Sequence, residues 1–130
     1  MNIMVAYDGS NASKRGLKLA ITHAKAFNAK VYVLTSMVKG EEKHLKDIEK
    51  AEHDLEYAHS LFEKENIPCE THLLIRGLSP GEDIVQFTKE NKIDEIIVGI
   101  EKKSKVGKFV FGSNAQYVIL EAPCPVIAVK

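Results

Sequence analysis

The chain is predicted to be a single α/β domain, a five-stranded parallel sheet with four helices covering both its faces. Three observations predict it. Short apolar runs recur through the sequence, near residues 2–7, 30–37, 70–75, 95–99 and 125–129. Bounded by turn formers, such runs read as strands buried on both faces. The segments between them carry apolar residues three and four apart, the period of an amphipathic helix. The connections are also too long for hairpins, so successive strands should cross over and run parallel.

The first strand, Asn-Ile-Met-Val-Ala-Tyr, stops at Asp8-Gly9-Ser10, where Ser10 or Asn11 can cap the following helix. Leu17, Ala20, Ile21 and Ala24 form that helix's apolar stripe, and it should end near Phe27-Asn28. Residues 30–37 are rich in β-branched and aromatic side chains and form the second strand. The longest helix should occupy 41–65, with Leu45, Ile48, Ala51, Leu55, Ala58 and Phe62 on one face. His44, His53 and His59 lie on it among many acids, and their spacing favours a solvated charged face over a metal site. Pro68 precedes a third strand at about Glu70–Ile75. Ser79-Pro80-Gly81-Glu82 then combines an N-cap serine, proline at the first helical position and glutamate three residues on, a capping box. Ile84, Val85 and Thr88 should be the buried side of that helix. The fourth strand is Glu95–Gly99. A helix from about Ser113 to Glu121 should turn Val118, Ile119 and Ala122 inward, and Pro123 halts it before the last strand, 125–129.

Composition narrows the function. With 45% hydrophobic and 28% charged residues this is ordinary globular stock. Eighteen basic residues balance eighteen acidic ones, so nothing global suits nucleic acid or an anionic membrane. Cys69 and Cys124 show neither metal-ligand spacing nor a CxxC pairing. They read as small core residues in a reducing compartment, which with the lack of a leader-like opening or a bilayer-length apolar run predicts a cytoplasmic location.

Against that neutral background, residues 97–114 stand out. A strand runs into Gly99, a loop follows with Lys102, Lys103, Lys105 and Lys108 against one acid, Glu101, and Gly112-Ser113 then opens a helix. Glycines permit close backbone approach, and a helix N-terminus offers unpaired N–H groups to an anion. In open α/β sheets, ligands bind beyond the carboxyl ends of the strands where strand order reverses. If Asp8-Gly9-Ser10 and 99–113 flank that point, they face one crevice.

In three segments, Val5-Ala6-Tyr7-Asp8-Gly9-Ser10, Val98-Gly99 through Gly112-Ser113, and Ala122-Pro123-Cys124-Pro125-Val126-Ile127-Ala128-Val129, the chain resembles the universal stress protein family over essentially its full length. The resemblance implies a Rossmann-like three-layer α/β/α fold with sheet order 3-2-1-4-5. It also implies binding of ATP or another adenine nucleotide, with or without Mg2+. Nucleotide-binding members share a Gly-x2-Gly-x9-Gly-(Ser/Thr) pattern. Gly99, Gly112 and Ser113 match it, whereas Lys102 replaces the second glycine. Gly107 then offers another turn, and the lysines offer charge. Carried over, Asp8 meets the adenosine end with Ala6 and Tyr7 beside it, and backbone near Ser36 lines the adenine pocket. Gly99 sits by ribose and phosphates, and Gly112, Ser113 and Asn114 receive phosphate oxygens.

The family resemblance further implies a homodimer through strand 125–129. No catalytic set accompanies the loop: no histidine lies near it in sequence, and the phosphate motifs of ATP-activating transferases and ligases are missing. The leading expectation is therefore a nucleotide-binding stress-response regulator, not a catalyst. The alternative is a dimeric stress protein that binds no nucleotide and acts through protein–protein contacts, a reading that the Lys102 substitution motivates.

Overall fold

The computed structural model describes residues 1–38, 44–101 and 112–130. Along them run β1 (Asn2–Ala6), α1 (Asn11–Phe27), β2 (Lys30–Ser36), α2 (His44–Lys64), β3 (Cys69–Leu74), α3 (Pro80–Glu90), β4 (Glu95–Gly99), α4 (Ser113–Glu121) and β5 (Val126–Val129). The strands form one sheet in the order β3-β2-β1-β4-β5, and every pairing is parallel. The chain starts at the centre, winds outward to β3, and returns to the other side of β1 with β4. The reversal point therefore lies between β1 and β4, as expected.

Strand alternation sends side chains to two separate cores. Ile3, Val5, Val31, Val33 and Ile97 face α1 and α2, where Leu17, Leu55 and Phe62 meet them. Met4, Leu34, Ile96 and Val98 face α3 and α4, meeting Ile84, Val85, Phe87 and Val118. That makes three layers. Because both faces of the central strands are covered, β1 reads as a continuous apolar run with Ile3, Met4 and Val5 all buried.

Local chemistry sets the helix ends. Ser10 caps α1, its hydroxyl accepting from the Ser13 N–H at 3.2 Å. Asn28 closes the helix in the left-handed conformation that asparagine tolerates. Ser79 caps α3 by accepting from the Glu82 N–H. The Glu82 carboxylate takes the Ser79 hydroxyl proton at 2.7 Å, so the box closes side chain to side chain.

Two expected core positions are corrected. Leu45 is 73% exposed. The reason is length: a helix of 21 residues spans about 31 Å at 1.5 Å per residue. The seven residues of β2 reach only about 23 Å. The first turn of α2 thus overhangs the sheet, whereas Ala51, Leu55, Ala58 and Phe62 are buried as expected. Ile119 is the second correction. It is exposed, and Val118 is the buried residue of α4, because that short helix lies against α3 along one narrow line.

Both cysteines are free and half-buried, Cys69 against the α1/α2 core and Cys124 against the other. Burial, with the nearby Glu70 charge, pushes the Cys69 thiol up to about 12, so it stays protonated and inert at neutral pH. Among the described residues no group of three or more His, Cys, Asp or Glu could hold a metal ion, and no helix is long and apolar enough to cross a membrane.

Candidate functional site

A cleft of about 570 Å³ opens at the carboxyl ends of β1 and β4. Of the residues expected at the site, Ala6, Tyr7, Asp8, Ser36, Gly99, Gly112, Ser113 and Asn114 all line it. Lys102 and Gly107 lie outside the described residues, as do Lys103, Lys105 and Lys108.

The turn after β1 forms one wall. Gly9 has φ +80°, which glycine adopts without strain. A Cβ there would also sit 2.7 Å from Asp54 Oδ2, whose carboxylate is held by Lys50 at 2.8 Å across one turn of α2. Asp8 accepts the Ser10 N–H at 2.9 Å in an Asx-type turn. Desolvation by the cleft walls pushes its carboxyl up. Hydrogen bonds from Ser10, side chain and backbone, outweigh it, so Asp8 ends below its ordinary value. Asp8 is therefore a carboxylate at neutral pH and faces the cleft as an acceptor.

Tyr7 lines the cleft at the end of β1. Its ring belongs to the α1/α2 core. Its main chain is committed, the N–H donating to Leu34 at 2.8 Å and the carbonyl accepting the Thr35 hydroxyl at 2.7 Å. The buried Tyr7 hydroxyl has no partner among the described residues. Burial, with the Asp54, Tyr57 and Asp8 charges, pushes it up to about 12. It fixes the end of β1 and stays a neutral phenol.

The two glycines of the opposite wall differ. A Cβ on Gly99 would fall 2.6 Å from the Ser13 nitrogen and 2.8 Å from the Ala12 carbonyl carbon. Close packing of β4 on α1 therefore requires glycine at 99, whatever the cleft holds. Gly112 has an ordinary φ of −60°, and a Cβ there would meet no described atom within 4 Å. Among the described residues no side chain caps α4, and no acid lies in its first turn. Its opening N–H groups and dipole therefore suit an anion. Asn114 Oδ1 accepts the Gly81 N–H at 2.9 Å and ties α4 to the start of α3, which leaves its amide nitrogen and backbone for a ligand.

Ser10 and Glu101, from the two loops expected to face one crevice, also line the cleft. Residues the sequence reading missed complete the site: Ser13, Leu34, Pro80, Ile84 and Val98. Behind Ser36 lies Asp83, wholly buried in the first turn of α3. The Ser36 hydroxyl donates to its Oδ2 at 2.7 Å, and Arg76 Nε donates to Oδ1 at 2.6 Å. Arg76 also reaches Glu90 at 3.1 Å. The only sequence hint was an acid in a helix's first turn, which equally describes the solvated Glu82.

A doubly wound parallel sheet, with an anion-suited helix start and a carboxylate facing each other at its reversal point, defines the class. The chain belongs to the universal stress protein family, whose model matches residues 1–130. A universal stress protein of Thermus aquaticus is 34% identical over 137 aligned residues, covering 98% of this chain and 97% of that one. Among solved structures, a universal stress protein from Archaeoglobus fulgidus is 41% identical with a TM-score of 0.90, covering 100% of this chain and 98% of that chain. An Archaeoglobus fulgidus universal stress protein in complex with dAMP is 37% identical with a TM-score of 0.83 and the same coverage.

Proposed function

We propose that this protein is an adenine-nucleotide-binding regulatory module of the stress response, acting by binding and not by catalysis. The observation that carries the reading is the pairing of the uncapped α4 start and open Gly112 with Asp8 across one cleft. The 37%-identical relative solved with dAMP supports it. In this reading the N–H groups of Ser113 and Asn114 take phosphate oxygens, Asp8 accepts a ribose hydroxyl, and the base lies in the apolar slot of Ala6, Leu34, Ile84 and Val98. ATP with Mg2+ is the proposed full ligand.

Two observations support a non-catalytic role. No histidine lines the cleft among the described residues. Ser13, a buried hydroxyl there, commits its proton to the Ser10 carbonyl at 2.9 Å. The proposed location is cytoplasmic, in keeping with two unpaired thiols. The proposed assembly is a homodimer, because β5 pairs with β4 on one side and with no described strand on the other, and Tyr117 and Leu120 of the neighbouring α4 are exposed.

Isothermal titration with AMP, dAMP and Mg-ATP tests the reading. Saturable heat with matching thermal stabilisation is expected. No heat and no shift at millimolar nucleotide sinks it and favours a protein that acts through its surface alone.

A further inference from the structure

The turn that carries Asp8 is anchored at both ends and loose in the middle. On one side the Tyr7 main chain is bonded to Leu34 and to the Thr35 hydroxyl. On the other, Ser10 is fixed in the cap of α1, its carbonyl accepting the Lys14 N–H at 2.9 Å. Gly9 lies between them and makes no hydrogen bond among the described residues. Glycine also moves between backbone conformations more freely than any other residue. Yet the Asp8 carboxylate reaches across Gly9 to the Ser10 N–H at 2.9 Å, a bond that lasts only while Gly9 keeps its φ of +80°. The three heavy atoms nearest to where a Gly9 side chain would stand all come from α2. They are Asp54 Oδ2 at 2.7 Å, Lys50 Nζ at 3.2 Å and Asp54 Cγ at 3.4 Å.

The geometry points to Asp54, fixed by Lys50, as a positioning residue that braces Gly9 and so keeps the Asp8 carboxylate facing the cleft. The brace stands on a firm base. Asp54 adjoins Leu55 and lies one turn from Ala51 and Ala58, all three buried. Lys50 donates to Asp54 Oδ2 at 2.8 Å and fixes the direction of the carboxylate. The Gly9 α-hydrogen that stands in place of a side chain points at that oxygen, a weak C–H donor against an acceptor. Neither Asp54 nor Lys50 is among the residues lining the cleft. Their action on a ligand therefore runs through the turn.

Titration of the Asp8 carboxyl, followed by carbon NMR on the ligand-free protein, separates a brace from a mere neighbouring charge. If charge alone matters, removing an acid near Asp8 lowers its midpoint. If the brace matters, the Ser10 hydrogen bond weakens and the midpoint rises toward the ordinary 3.8. Asp54→Ala should raise it. Asp54→Asn, which keeps the shape of the side chain and an acceptor for Lys50, should not. Asp54→Ser, too short to reach Gly9, should behave as Asp54→Ala does, and thermal melts check that all three fold. A fall or no change in Asp54→Ala overturns the inference, and so does an equal rise in Asp54→Asn. A second arm rests on the nucleotide reading of the cleft. Asp54→Ala should weaken AMP binding by about 3–10-fold in titration calorimetry, the worth of one misaligned hydrogen bond, with Asp54→Asn within about twofold of wild type. Unchanged AMP affinity in Asp54→Ala overturns the inference. A wild-type protein that binds no AMP overturns the nucleotide reading alone, because the carboxyl titration needs no ligand.

Discussion

Gly99 and Gly112 frame the same cleft, but different forces act on them. At Gly99 a methyl group would meet backbone atoms of Ala12 and Ser13, which cannot swing aside as a side chain could. Gly99→Ala should lower stability by about 2 kcal/mol, as overpacking does, read by urea denaturation. At Gly112 the same methyl meets no described atom within 4 Å, so Gly112→Ala should cost about 1 kcal/mol or less while lowering nucleotide affinity about tenfold in a titration. Equal effects at both positions would refute the distinction. Asp8 carries the pH signature. Its carboxyl lies below the ordinary value of 3.8 when folded, so its contribution is complete above that value and fades as pH falls through the lower folded one. Asp8→Ala should destabilise by about 1 kcal/mol at pH 7, with the gap to wild type shrinking below pH 4 in parallel melts. Asp8, Gly112 and Ser113 were legible as a motif. Asp83 and Arg76 were not: residue type and spacing cannot distinguish a buried acid in a first turn from a solvated one.

Elements were read more reliably than side-chain environments, and physical reasons account for it. Cap residues and the apolar pattern together place α1, α3 and β4 almost to the residue, with Ser10 and the Ser79-Pro80-Gly81-Glu82 box marking the two helix starts. The same period overstates the buried face of α2, because period says nothing about where the sheet ends. Leu45 continues the stripe in sequence yet hangs beyond the strands. Leu45→Ala should therefore change stability by less than about 0.5 kcal/mol. Phe62→Ala, with the ring fully buried in the α1/α2 core, should cost about 3–5 kcal/mol. Chemical denaturation of the two variants side by side checks this. Ile119 teaches the same lesson in α4, where of two adjacent apolar residues Val118 is fully buried and Ile119 is exposed.

Whole-molecule architecture follows from alternation of strands and helices, which the sequence displays. The proposed assembly depends on an edge. The Ile96 N–H donates to the Pro125 carbonyl and the Ile100 N–H to the Val129 carbonyl. Odd-numbered residues of β5 therefore serve the ladder with β4, and Val126 and Ala128 turn their backbone groups to the open side. Ala128→Pro would remove an outward N–H without touching that ladder. Sedimentation equilibrium should find twice the chain mass for the wild-type protein and one chain mass for the variant, and a monomeric wild type would end the dimer proposal. The reversal between β1 and β4 also bears on how the site comes into being. Val5 pairs with Ile97 and Ala6 with Val98, partners more than ninety residues apart whose joining closes most of the chain into one loop. Such contacts form late, after the local hairpin-free βα units have collapsed. No partly folded fragment contains both walls of the cleft, so a ligand there selects the completed fold alone and transfers its whole binding free energy to global stability.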